Sequence, residues 1–139
     1  MIDVSPAHLA AVLAAVRLPG LVARRALLES GSGDITITCY PDPRPAAGEA
    51  PAGAQLAVIR QAEPTALDEP NIRFTFEPGI EGLITATGTG TWARIASRSG
   101  AWWADCSISD TDGDGEIQFD SVAFAVGAFA RLSSGVFQG

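Results

Sequence analysis

Four carboxylates crowd into seven residues at Asp110-Thr-Asp112-Gly-Asp114-Gly115-Glu116. Oxygen ligands at the first, third and fifth positions, Gly at the sixth and Ile117 at the eighth reproduce the first half of an EF-hand calcium loop. Alternate carboxylates can wrap one hard cation, and the glycine allows the sharp turn. The pattern then stops. Its twelfth position calls for a bidentate Glu and holds Ser121, with Asp120 one residue early. Its flanks read as strands, not helices. Two readings stand: calcium on Asp110, Asp112, Asp114 and the Glu116 backbone carbonyl, or an acidic hairpin turn, where Asp and Gly are the usual residues.

Other chemistry has little to build on. His8 is the single histidine, there is no Lys, and Tyr40 is the single tyrosine, so most general-base and Schiff-base schemes lack their residues. The expectation is a protein that is not an enzyme. Cys39 and Cys106 each fall inside an alternating apolar run and read as buried thiols, not as a disulfide or zinc framework. All three tryptophans, Trp92, Trp102 and Trp103, lie in Gly90–Ser107, two β-type segments around the polar turn Ser97-Arg-Ser-Gly100. Aromatics on a pleated surface form strong cross-strand pairs. With Arg94 and Arg98 they could make a sugar- or base-stacking face. The simpler expectation is that the tryptophans anchor a core or an interface and that the arginines are solvated.

These pieces need a scaffold, and 139 residues make one domain the default. Charge is uneven along it. Residues 1–33 carry three Arg against Asp3 and Glu29, a net of +1; residues 34–139 carry six Arg against fourteen acids, a net of −8. An acidic body repels phosphates, which argues against nucleic acid as a partner. Arg, Gly or Pro interrupts each apolar run before 18 residues, so no membrane span is expected. No secretory leader is expected either, because Asp3 and His8 occupy the place of a basic n-region.

Residues 1–33 read as a helical arm. Ser5 can cap a helix with Pro6 at its first position. Leu9, Val12, Leu13 and Val16 share one apolar face. Leu18-Pro19-Gly20 is expected to break that helix, with a second piece over Leu21–Glu29. From Asp34 onward the period changes to two. Strands are expected at 35–40, 55–60, 72–76, 80–87, 90–96, 101–108, 116–120 and 128–137, with loops at 41–53 and 61–71 and an ambiguous apolar stretch at 122–126. Eight short strands with turns between them predict a mainly β domain over 34–139, an antiparallel β-sandwich of jelly-roll or Ig-like type.

The order of these pieces resembles a group of short proteins encoded among the virion genes of tailed bacteriophages. The matching stretches are Ile35-Thr-Ile-Thr-Cys-Tyr40 with Pro43-Arg44-Pro45, then Leu56-Ala-Val-Ile59. Next come Ala86-Thr-Gly-Thr-Gly-Thr-Trp-Ala-Arg-Ile95, Gly113 to Phe119, and Val126-Gly-Ala-Phe-Ala-Arg-Leu-Ser-Ser134. The resemblance implies a structural component of a virion and no catalytic residues. Capsid decoration (cement) on the major capsid protein is the expected role, with a tail, baseplate or fibre position as the alternative. A calcium-dependent carbohydrate-binding module is the alternative from another class. Self-association is also expected, as a trimer, through Trp92, Trp102, Trp103, Leu9, Val12, Leu13 and Val16, because arm and hairpin offer more apolar surface than a small monomer exposes.

Overall fold

The computed structural model describes residues 5–139, the side chain of Leu13 excepted; that expected interface residue lies outside the description. The chain is mainly β, with a large curled mixed sheet and an N-terminal helix. Helix α1 spans Pro6–Leu28. Its start follows the sequence: the Ser5 side chain accepts a hydrogen bond from the His8 N–H (3.1 Å), and Pro6 occupies the first turn.

The expected break at Leu18-Pro19-Gly20 does not occur. Pro19 sits inside a continuous 23-residue helix. Pro19 offers no N–H to the carbonyl one turn back, a loss that ordinarily bends or ends a helix. Here the turns after it are fastened to the body. Leu21 and Leu28 are buried, and Leu18 packs against the same core. The Arg17 guanidinium donates to the Gly139 carbonyl, and the Arg25 guanidinium donates to Thr65 Oγ1 at 2.8 Å and to the Thr65 carbonyl. The expectation that no apolar segment reaches spanning length is corrected with it. Run through Pro19, α1 is long and apolar enough to cross a membrane by length and composition.

The strands are β1 (Ile35–Tyr40), β2 (Ala57–Gln61), β3 (Ala66–Asp68), β4 (Arg73–Thr75), β5 (Glu81–Leu83) and β6 (Gly88–Thr89). They continue with β7 (Trp92–Ala96), β8 (Trp102–Ser109), β9 (Ile117–Phe119), β10 (Ala123–Phe124) and β11 (Phe129–Gln138). The main sheet runs β2-β1-β7-β8-β9-β11-β4-β3, with β5 also on β11; β10 and β6 form a separate pair. A bridge between Ala57 and Ile84, with Thr85 N–H on the Leu56 carbonyl at 2.8 Å, brings β2 back against the end of β5 and curls the sheet around one core. Period-2 patterning works as read in β1, where Ile35, Ile37 and Cys39 are fully buried and Thr36, Thr38 and Tyr40 are half-buried.

Three elements depart from the sequence reading. The expected loop at 61–71 contains β3, which pairs with β4 through Leu67 opposite Phe74. The ambiguous stretch at 122–126 contains β10, paired with the equally short β6. β8 and β9 run parallel, with Ile108 beside Ile117 and Ser109 beside Gln118. The acidic segment between them is therefore no hairpin turn. It loops out and returns beside the end of β8, and the chain continues in the same direction.

Candidate functional site

The β7–β8 hairpin positions the tryptophans. Its register places Arg94 opposite Asp105, then shifts between Ile95 and Ala96, so that Ala96 faces Trp102 and Trp103 is the extra residue. Side chains alternate along a strand, so one extra residue swaps the faces of everything beyond it. Trp103 turns inward, edge-on to Phe74 and Phe137 at 5.9 and 5.4 Å between ring centres. Its indole N–H donates to the Arg24 carbonyl at 3.0 Å, and the Arg24 guanidinium lies 6.0 Å from its ring centre, which ties the hairpin to α1. Trp102 turns outward, onto the face that carries Arg94 and Asp105, and remains 51% exposed.

That outer face is roofed by the loop over residues 41–53. Beneath it Trp92 is 1% exposed, stacked on Tyr40 at 4.7 Å with its indole N–H on the Pro41 carbonyl at 3.0 Å. Trp92, expected at an interface, is thus a core residue of this second layer. Roofing makes the difference, because the 41–53 loop covers the face at Trp92 and leaves it open at Trp102.

Arg94 and Asp105 form the electrostatic centre. Asp105 Oδ1 accepts from Arg94 Nε at 2.8 Å and Oδ2 from Arg94 Nη2 at 3.1 Å, a two-pronged pair whose carboxylate is 1% exposed. The same carboxylate accepts from the Trp102 indole N–H at 3.1 Å and from the Gly48 N–H at 3.2 Å. Burial pushes the Asp105 carboxyl up, but the hydrogen bonds from Arg94, Gly48 and Trp102 outweigh it and hold the group below its ordinary value. Gly48 has φ +79° and lies against the Trp102 ring; an added Cβ would stand 3.0 Å from Cζ3. Trp102 is therefore an exposed aromatic plate fixed at its N–H and packed on one side.

Beside Trp102, a groove of about 330 Å³ opens between the hairpin tip and the last turns of α1, bordered by Arg24, Leu27, Ser99 and Trp103. Its far wall is held by a second ion pair. Glu29 Oε2 accepts from Arg98 at 3.2 Å, and Oε1 from the Thr65 N–H and hydroxyl at 3.0 and 3.1 Å. Burial raises the Glu29 carboxyl, while the bonds from Thr65 and Arg98 bring it below its ordinary value. Arg98 also donates to the carbonyls of Gly33, Gln61, Ala62 and Glu63. Arg94 and Arg98, expected to be solvated, are instead pinned crosslinks between loops. The sequence carried only part of the signal for the first pair: both residues flank the Ser97–Gly100 turn, but Arg94 faces Asp105 and not Ala104 because of the extra residue at Trp103. Glu29–Arg98 left no such trace, since 69 residues separate the partners.

Among the other expected site residues, Leu9, Val12 and Val16 lie exposed on the first half of α1. The acidic loop does not gather its carboxylates. Among the described residues no group of three His, Cys, Asp or Glu side chains converges as a metal site. Glu116 Oε2 instead accepts the Ser107 N–H at 3.0 Å, and Asp110 Oδ1 accepts the Asp112 N–H at 3.1 Å. The glycine at the sixth loop position has another task. A Cβ on Gly115 would meet the Ser109 nitrogen at 2.7 Å, so glycine permits the return alongside β8. Cys39 and Cys106 are free and buried, as read. Both pair with Ala93 from opposite sides, two strand spacings apart, about 10 Å and beyond disulfide reach. Burial pushes the Cys106 thiol up to about 12, and Cys39 higher still.

No family model, curated protein or solved structure matches this chain.

Proposed function

We propose that this chain is a non-enzymatic structural subunit of a tailed-bacteriophage particle, and within that class a capsid decoration protein bound to the major capsid lattice. The observation that carries the reading is the division of labour along α1. Its second half is riveted to the body, while its first half presents Leu9, Val12 and Val16 to solvent at 50, 48 and 71% exposure. A small protein that keeps an apolar half-helix in water carries a surface made for another protein. The shifted carboxylates are consistent with this, since Asp105 and Glu29 both brace loops and helix rather than face a cleft. The sequence resemblance to virion proteins supplies the partner class. At the finer level the body reads as a β-sandwich of jelly-roll or Ig-like type, with β2-β1-β7-β8 as one layer and β9-β11-β4-β3 with β5 as the other.

The test is a census of purified particles by quantitative mass spectrometry. Hundreds of copies per particle are expected for a head decoration protein. A dozen or fewer would move the protein to the tail or baseplate, and its absence from particles would overturn the virion reading altogether.

A further inference from the structure

We propose that the groove beside Trp102 binds an acidic sugar, a pyranose ring stacked on the exposed indole with its carboxylate on Arg24. Three features of the groove converge on that ligand. The first is the plate itself. The Trp102 indole N–H is held by Asp105 Oδ1 at 3.1 Å, and Gly48 lies against the six-membered ring. Asp105 is in turn locked by two bonds from Arg94. A buried ion pair thus fixes an aromatic ring that stays 51% exposed. A ring held this way loses little freedom when a ligand stacks on it.

The second feature is a cation with nothing to hold. Arg73, Arg94, Arg98 and Arg131 pair with carboxylates, and Arg17, Arg25 and Arg44 donate to carbonyls or hydroxyls. Among the described residues, only the guanidiniums of Arg24 and Arg60 have no acceptor. Arg24 borders the groove, 6.0 Å from the Trp103 ring centre. In a chain of net charge −7, its fork of N–H donors is left for an anion from outside. The third feature is a hydroxyl rim of Ser30, Ser97 and Ser99. The hydroxyls of Ser97 and Ser99 share one hydrogen bond at 2.8 Å, which leaves one of their two protons uncommitted.

A pyranose is divided in the same way as this groove. One face is a patch of C–H bonds, slightly positive, that suits the negative face of an indole. Its rim is hydroxyls that both donate and accept. A purely apolar side chain seated here would cover Arg24 and the serines without pairing them. A neutral sugar would pair the serines and leave the guanidinium covered, whereas a uronic acid pairs both. The volume of about 330 Å³ sits at the small end of ligand clefts, room for about one or two sugar rings. The site does not rest on virion membership: binding by the purified chain tests one, and the particle census tests the other.

The experiment is isothermal titration calorimetry of the purified chain at low salt, with chelator present to keep the 110–116 loop free of calcium. The probes are a galacturonate trimer, a mannuronate trimer and a hyaluronan tetrasaccharide, each beside its methyl ester. At least one acid should bind in the micromolar-to-millimolar range and shift the tryptophan fluorescence. Its ester, which keeps the sugar and loses the charge, should bind about tenfold more weakly. Trp102→Ala should weaken both acid and ester by about tenfold or more. Arg24→Gln should remove the preference for the acid and leave ester binding unchanged. That variant keeps the backbone carbonyl that accepts the Trp103 indole, so it stays folded even where Trp102→Ala does not. No binding of any of the three acids at millimolar concentration would overturn the proposal. So would binding that is equal for acid and ester, that survives both substitutions or that requires calcium. Tighter binding of indole-3-acetate than of every sugar would overturn it too, and would make the groove a site for aromatic acids.

Discussion

Replacing Asp105 with Ala should be the most damaging single change on the outer face of the β7–β8 hairpin. The carboxylate is 1% exposed and accepts four hydrogen bonds, two of them from Arg94, whose own side chain is 19% exposed. Its removal takes the acceptor from Arg94 Nε, the Trp102 indole N–H and the Gly48 N–H under the 41–53 loop, and leaves Arg94 only the Glu49 carbonyl at 2.6 Å. Breaking a buried ion pair from one side costs about 3–5 kcal/mol, a large part of the roughly 5–15 kcal/mol that holds a domain together. Asp105→Asn keeps one acceptor oxygen but turns a donor towards Arg94 or Gly48, and should cost about 1.5–3 kcal/mol. Arg94→Met combined with Asp105→Leu should recover much of the loss, because neither charge is then stranded. The assay is urea unfolding followed by tryptophan fluorescence, with acrylamide quenching of the native state to report on Trp102. Quenching should rise in Asp105→Ala as the indole loses its anchor. The pH dependence has a definite sign. The folded-state group titrates below its ordinary value of 3.8, so its contribution is complete above that value and is lost as pH falls through the lower folded value. Wild-type stability should therefore drop more steeply below about pH 4 than that of Asp105→Asn. A stability of Asp105→Ala within about 1 kcal/mol of wild type, with an equal m-value, would refute the assignment of this carboxylate as the brace of the face.

The acidic loop can be tested by metal addition and removal. The melting temperature should be the same in millimolar calcium and in chelator, since Glu116 is engaged with Ser107. A rise in calcium that magnesium does not match, lost in Asp112→Asn, would show the carboxylates closing on an ion instead. Gly115→Ala should lower stability by about 1–3 kcal/mol, by forcing a methyl group against the Ser109 nitrogen; equal stability in urea would mean the loop has more room than its geometry gives. Cys39 and Cys106 should be unreactive towards a thiol reagent at pH 8 in native protein, and both should react after unfolding. Reaction of either before unfolding would contradict their burial.

The sequence by itself determined what depends on neighbours along the chain. Ser5 and Pro6 start α1 because a cap needs only a hydroxyl three residues from an unsatisfied N–H. Ile35, Ile37 and Cys39 point into the core because a strand alternates whatever it packs on. Tertiary structure decided the rest. The continuation of α1 through Pro19 is a case in point. Its local cost is fixed by the missing N–H, but Leu21, Leu28, Arg25 and the Trp103–Arg24 bond, which outweigh it, come from residues up to 79 positions away. The acidic loop is another. Its composition suits a calcium site, a hairpin or a parallel return equally well, and the side-by-side placement of Ile108 and Ile117 in the core selected the last. The fates of the three tryptophans turned on a single extra residue in β8 and on a roof of Pro, Ala and Gly. A bulge and a covering loop leave no period in the sequence, because both are set by what the opposite strand and the far side of the sheet require.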